Sequence, residues 1–306
     1  MNAASTTRVI TRGYGARKYR IDEILRFLRQ AGFTVVDWYA PACELIESKS
    51  SALDTEAWNR WAHGAREVAE KLGMRFSQMH SLELDRSLGE DHMNATEIMT
   101  DNALRAAAIL GVRDVAIHPI IMEPRLRAFE QCIKYNVSRL RKKAELAGAL
   151  GLRLALENML TKRHFDGRQE WRFCTCIEEH EALLTAVDCE NVGYCFDVGH
   201  ANYTGTDICE AVTRMGGRLF AVHVHDNDTF SDQHLIPYQG NVDYEAFARA
   251  LAHARYAGDM TMEVLNAANG MPPEMARHTL RAVYEAARHL ISRVQYYCEE
   301  ENGYAI

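Results

Sequence analysis

Apolar and polar positions along this chain follow two rhythms that take turns. Short apolar runs of strand length fall at residues 8–11, 33–39, 74–80, 114–118, 153–157, 192–197, 219–223 and 260–263. Between them lie longer segments with apolar residues three and four apart, the spacing of a helix buried along one face. They predict helices at residues 21–30, 55–72, 94–110, 129–150, 176–186, 208–215, 244–255 and 275–292. Many of these segments run into a glycine, among them Gly32, Gly73, Gly111 and Gly151, which is a usual helix stop.

Strand–helix alternation implies parallel strands joined by crossover helices, and eight repeats close into a (β/α)8 TIM barrel. The rival, a doubly wound open sheet, wants a glycine-rich phosphate loop after its first strand. Gly13-Tyr14-Gly15 supplies only a G-x-G with no third glycine. The 306 residues suit one domain, with the barrel at about 8–292 and a C-terminal tail at 293–306. Tyr296, Tyr297, Tyr304 and Ile306 make that tail apolar enough to pack on a partner or on the barrel floor.

Composition narrows the class. With 47% hydrophobic and 25% charged residues the chain reads as an ordinary soluble globular protein. No apolar stretch approaches the ~20 residues of a membrane span, and the segment MNAASTTRVITRGYG lacks a signal-peptide core. A cytoplasmic location and no membrane partner are therefore expected. The eight cysteines are scattered and read as reduced core thiols. A net charge of −7 is unfavourable for tracking a phosphate backbone, so nucleic acid is not the expected partner. The densest basic segment, residues 125–143, interleaves its charges with apolar residues at helical spacing and reads as a solvated helix face.

The candidate chemistry sits at strand ends. The third to eighth apolar runs end on His80, His118, Glu157, Asp197, His223 and Glu263. In a parallel barrel all these ends face one rim. Singly, each has an ordinary explanation as a hydrogen-bonded histidine or a capping carboxylate. Six in phase point to a shared site. His200 follows Asp197 by three residues in D-V-G-H, and Asp232 and His234 form D-x-H beyond the seventh run. The stretch LFAVHVHDNDTFSDQH also carries His225, Asp226 and Asp228 as metal-capable side chains. Mixed imidazole and carboxylate suit Zn2+ or Mn2+, with Mg2+ or Co2+ admitted. Nine donors exceed the three or four that one zinc takes from protein. Either the site holds two or three ions, or some of the nine position substrate instead, so one to three ions per chain are expected.

These phrases resemble the xylose isomerase-like TIM-barrel superfamily, which includes sugar isomerases and epimerases and endonuclease IV. The resemblance runs over about residues 8–292 and rests on LALENM, CFDVGHAN, AVHVHDND, SDQHLIPYQGNVD and TMEV. It implies that Glu157, Asp197, Glu263 and one histidine of the H-V-H pair hold a divalent metal, as in ketose 3-epimerases. The trinuclear zinc site of endonuclease IV also has its nine ligand types here: His80, His118, Glu157, Asp197, His200, His223, Asp232, His234 and Glu263. Departures run against both branches. The basic residues of the endonuclease loop are missing, and so is the epimerase arginine, since Asp226, Asn227 and Asp228 follow His225. The usual P-G-x-G turn is P-Y-Q-G, and Asp37 stands where the second strand usually presents a glutamate.

The expected reaction is isomerisation or epimerisation of a keto sugar, a sugar phosphate or a polyol derivative. Glu157 and Glu263 are the expected two bases, acting α to a carbonyl through an enediolate. Glu157, Asp197, His223 and Glu263 are the expected metal ligands. His200, His225, Trp38 and Lys162, with Arg163 beside it, are expected toward substrate. The alternative is a metal-dependent phosphoester hydrolase of the endonuclease IV type. Barrels of this group often dimerise, which leaves a homodimer open.

Overall fold

The computed structural model describes residues 1–42, 55–84, 88–120, 125–163, 169–170 and 172–303. Eight parallel strands close a barrel: β1 (Ala3–Thr6), β2 (Val35–Tyr39), β3 (Arg75–His80), β4 (Asp114–Ile117), β5 (Arg153–Glu157), β6 (Val192–Asp197), β7 (Leu219–Val224) and β8 (Met260–Met262). Closure comes from β1, whose Ala3 pairs with Met260 of β8 and whose Thr6 pairs with Asp37 of β2. The surrounding helices are α1 (Ile21–Ala31), α2 (Thr55–Lys71), α3 (Glu90–Leu110), α4 (Arg125–Ala149), α5 (Ile177–Val187), α6 (Val198–Thr204), α7 (Ile208–Met215), α8 (Tyr244–His253) and α9 (Pro273–Gly303). Among the described residues no helix is long and apolar enough to cross a membrane.

The main apolar core lies between strands and helices and holds Val36, Phe76, Leu154, Phe196 and Val222 with Leu28, Leu104, Leu140 and Leu280. A separate small cluster comprises Ala116, Ala155, Cys195, Phe220 and Ala221. Four of these stand two positions before His118, Glu157, Asp197 and His223. Period-two alternation therefore places them on the inward strand face, one layer below those donors. The seven described cysteines are free; Cys43 lies outside the described residues.

Several expectations are corrected. The first strand is Ala3–Thr6, not residues 8–11, where Thr7–Val9 form a 3-10 turn. Val9 and Ile10 are apolar because they enter the outer core. The strand itself is small and polar because it is defined by pairing to β8 and β2. The barrel thus begins earlier than residue 8. The tail is not separate either: α9 continues to Gly303, and Tyr297 turns toward α8, donating its hydroxyl to Glu245 at 2.7 Å. Tyr304 and Ile306 lie outside the described residues. Residues 125–143 are not simply a solvated face. Arg139 and Lys143 have 5% and 8% exposed side chains and pair with Glu97 at 2.7 Å each. A charge that far from water persists only when paired. Arg139 also donates to the His118 carbonyl at 3.1 Å, and Asn136 exchanges two hydrogen bonds with the Ile120 backbone. The helix therefore fixes the segment that carries His118.

The loop after β7 folds around one carboxylate. Asp226 is fully buried and accepts from the backbone N–H groups of Asn227, Tyr238, Gly240 and Val242 at 2.9–3.1 Å. Asp226 and Leu235 also bond each other's backbones, at 2.9 and 2.8 Å. Gly240 is the one residue type that fits its place: a Cβ there would stand 2.3 Å from the Asn227 carbonyl oxygen and 2.4 Å from the Asp226 carboxylate. The glycine left in P-Y-Q-G thus serves the loop's own packing. Asp226 is consequently not metal-capable, and Asp228 instead accepts from the Phe230 and Ser231 amides. Charge-assisted hydrogen bonds are worth about 1.5–3 kcal/mol each. Asp226→Asn is expected to lower the urea unfolding free energy by at least about that much, since it turns one acceptor oxygen into a donor facing donors. An unchanged denaturation midpoint would count against this account of the loop.

Candidate metal centre

Ten of the residues expected at the site do gather at the C-terminal mouth of the barrel. His80 and Asp197 end β3 and β6, Glu157 ends β5, and His223 is the penultimate residue of β7. His118 and Glu263 lie one residue beyond β4 and β8. Asp197 caps α6 by accepting the His200 N–H at 2.7 Å, so the D-V-G-H turn is the first turn of a helix. His225 follows β7 on the same inward side as His223. The Asp226-centred loop then delivers Asp232 and His234, the latter in a left-handed conformation (φ 49°) that costs energy in a non-glycine residue.

The donors sort into groups whose ligating atoms lie within 4.8 Å of one another: Glu157, Asp197, His223 and Glu263; His80, Glu157 and His223; His80, Glu83 and His118; and His200, His225, Asp232 and His234. Glu157 joins them. Its Oε1 is 3.1 Å from His223 Nδ1 and 3.6 Å from His200 Nδ1. Its Oε2 is 3.2 Å from His118 Nε2 and 3.6 Å from His80 Nε2. Glu263 Oε2 lies 3.6 Å from His223 Nδ1. Asp232 Oδ2 is 3.1 Å from His234 Nε2 and 3.6 Å from His200 Nε2.

These residues fit a metal on two observations. The Nδ1–H groups of His80, His200 and His234 donate to the carbonyls of Ser81, Asn158 and Glu263 at 2.9, 2.8 and 2.8 Å. Each Nε2 then keeps its lone pair toward the groups above, the arrangement in which a backbone carbonyl orients a metal-binding imidazole. Second, His223 Nδ1, His225 Nδ1 and Asp232 Oδ1 are buried without a hydrogen-bond partner, a state a bound cation would relieve.

Electrostatics separates the two glutamates. Burial pushes Glu157 up, but His223 and His118 outweigh it and hold the group well below the usual carboxylate range. Glu263 is driven well above that range by burial, against the pull of His223 and with the push of Glu157. Burial also raises Asp197, yet His200 and His225 bring it to about 2. His80 falls to about 4 through burial and the neighbouring His118. Asp37, pointing inward below the site, is raised to about 6 by burial, partly offset by His223.

Some expectations do not hold. Trp38 points out of the barrel, is 1% exposed and packs its ring against Trp58 and Trp61 at 6.1 and 4.9 Å. Strand alternation sends Asp37 and Tyr39 inward and Trp38 to the helices, so it grips no substrate. Lys162 and Arg163 form a two-residue strand against Gln169–Glu170; their side chains lie outside the described residues. Sequence reasoning missed three residues. Asn158 accepts from the Asp197 N–H at 2.7 Å and donates to the Asp197 carbonyl at 2.9 Å, locking β5 to β6. Gln78 lies 2.6 Å from His223 Nε2. Glu83 joins His80 and His118. Adjacency to Glu157 could have flagged Asn158, and the inward parity of residues 78 and 80 could have flagged Gln78.

A family model described as xylose isomerase-like TIM barrel matches residues 25–286. An uncharacterized protein of Methanocaldococcus jannaschii is 29% identical over 168 residues, 54% of this chain and 55% of that protein. The chain thus spans little more than half of that relative. An inosose isomerase of Bacillus licheniformis is 22% identical over 200 residues, 62% of this chain and 66% of that protein. The crystal structure of a D-tagatose 3-epimerase-like protein superimposes with a TM-score of 0.72 at 20% identity, covering 98% of this chain and 99% of that one.

Gly199 tests the site's packing. A Cβ there would stand 2.1–2.5 Å from three atoms of the His225 ring. Gly199→Ala is expected to displace His225 and to lower the divalent-metal content read by elemental analysis after loading. Chelation of the unaltered protein should lower its Tm, because ions bound to the native state alone stabilise it. Full metal content in Gly199→Ala would contradict the assignment of His225 to the group with His200, Asp232 and His234.

Proposed function

The chain belongs to the xylose isomerase-like TIM-barrel family, and from that premise we propose that it is a divalent-metal-dependent isomerase or epimerase of a keto sugar or related polyol derivative. One observation carries the reading. Glu157 and Glu263, three strands apart in the barrel, bring carboxylate oxygens to 3.1 and 3.6 Å from the same atom, His223 Nδ1. Two carboxylates converging on one point from different strands can reach opposite faces of a carbon held between them.

A divalent cation held by Glu157, Asp197, His223 and Glu263 would polarise the substrate carbonyl as a Lewis acid. Glu157, kept ionised by His223 and His118, takes the proton α to the carbonyl. Glu263, approaching from the other side, returns one with the carboxylate oxygen that the cation leaves free. His200 and His225 orient hydroxyl groups of the substrate. Relatives named as an inosose isomerase and a D-tagatose 3-epimerase-like protein support this substrate class.

The four overlapping donor groups favour a second reading, a phosphoester hydrolase with clustered ions making a hydroxide nucleophile. The net charge of −7 and the loop without basic residues weigh against a nucleic-acid substrate.

The test is solvent-deuterium incorporation into a panel of ketoses and inososes by the metal-loaded protein. Glu157→Gln and Glu263→Gln are each expected to lower exchange roughly 10²–10⁴-fold. Exchange unchanged in both variants would sink the two-base mechanism. Phosphodiester cleavage without any carbon-bound exchange would favour the second reading.

A further inference from the structure

The first strand leads into a cation that no described carboxylate neutralises. Arg8 lies two residues beyond β1, in the 3-10 turn Thr7–Val9 at the barrel mouth. Its guanidinium stands 4.6 Å above the Tyr39 ring, and that ring packs obliquely on the His80 imidazole at 4.8 Å. Among the described residues Arg8 makes no ion pair, and its guanidinium gives no hydrogen bond. Arg139 and Arg153, by contrast, are each spent on a carboxylate, at 2.7 and 2.6 Å. Stacking occupies the face of a guanidinium and leaves its in-plane N–H groups available.

The backbone under Arg8 is fixed on both sides. Thr7 Oγ1 accepts the Tyr39 N–H at 3.0 Å, which ties the turn to β2. The Arg8 and Val9 carbonyls accept the N–H groups of Asn266 and Ala268 at 3.0 and 3.1 Å, which tie it to the loop after β8. Asn269 adds its Oδ1, accepting the Thr11 N–H at 2.6 Å. Val9 and Ile10 anchor the turn in the outer core. A side chain that grips a ligand gains from such support, because less freedom is lost on binding.

We propose that Arg8 is a specificity-determining residue that takes an anionic group, phosphate or carboxylate, at the far end of the substrate. The inference rests on the proposed function, which puts the reacting carbons at Glu157 and Glu263. β5, which carries Glu157, stands directly across the closed barrel from β1, with Asp197 beside it on β6. Like charge repels an anion from that wall, and Arg8 offers the opposite sign on the near one. Contacts of 4.6, 4.8 and 3.8 Å lead from its guanidinium through Tyr39 and His80 to Glu263 Oε1. The carbon chain of a ketose and its terminal substituent cover such a span. A guanidinium fork meets two oxygens of a carboxylate or phosphate at once. The substrate is thereby an anionic ketose, bound in one direction, with its carbonyl toward Glu157 and its charge over β1 and β2.

The experiment is isothermal titration of the metal-loaded full chain with D-fructose and D-tagatose, each beside its terminal phosphate ester and its terminal carboxylate. It compares the unaltered protein with Arg8→Gln and Arg8→Lys. The unaltered protein is expected to bind one charged form at least about tenfold more tightly than the neutral sugar, the scale of a charged hydrogen bond. The charged form it prefers identifies the anion. Arg8→Gln should erase that preference. Arg8→Lys, which keeps a cation over the Tyr39 ring but not the fork, should restore part of it. The same preference in Arg8→Gln would put the anion on the metal and overturn the inference, as would no preference in the unaltered protein. Solvent-deuterium exchange on the same compounds separates this inference from the proposed function. An Arg8-dependent preference without exchange keeps the anion grip and overturns the proposed reaction. Exchange equal on charged and neutral sugars overturns the grip and leaves the proposed function standing. No binding of any sugar would overturn both.

Discussion

Buried negative charge at the barrel mouth is the constraint on which the rest of the site depends. Glu157, Asp197 and Glu263 are each at most 2% exposed. Carboxylates that far from water are costly unless paired or protonated. The surrounding strands answer with imidazoles: His223 and His118 face Glu157, and His200 and His225 face Asp197. Glu263, less well compensated, is driven toward its protonated form. The same imbalance suits the barrel mouth to a cation.

That arrangement needs rigid support, which backbone groups supply. Asn158 ties the ends of β5 and β6 together at the point where Glu157 and Asp197 emerge. Asn136 and Arg139 hold the segment of His118 from α4. Asp226 gathers four amides and so carries Asp232 and His234 back over the mouth. Each support is a polar side chain saturating main-chain groups that a buried loop would otherwise leave unpaired. Ligand geometry here is a property of loops made stiff by their own hydrogen bonds.

A barrel of this kind hosts many reactions, so the fold settles little about chemistry. What distinguishes this mouth is Glu157, whose two oxygens face different histidine groups. A carboxylate so placed can serve proton transfer with one oxygen while the other joins a neighbouring set.

The sequence by itself determined the barrel and most of its donors. Strand–helix alternation is a local signal, and in a parallel barrel a residue's place at a strand end is also its place on the rim. His80, Glu157 and Asp197 could therefore be set in space from position alone. The exceptions are instructive. β1 escaped because Ala3–Thr6 is a strand only through pairing with β8 and β2, which no local pattern reports. Trp38 seemed a rim residue, yet pleat parity turned it to the helices. Arg139 and Lys143 read as solvated until α3 supplied Glu97 and Asp101. Asp226 and Asp232 look alike in sequence, but one is consumed by loop amides and the other reaches the histidines. Only the tertiary structure decided between them, because a carboxylate's role depends on which donors, distant in sequence, are brought to its oxygens.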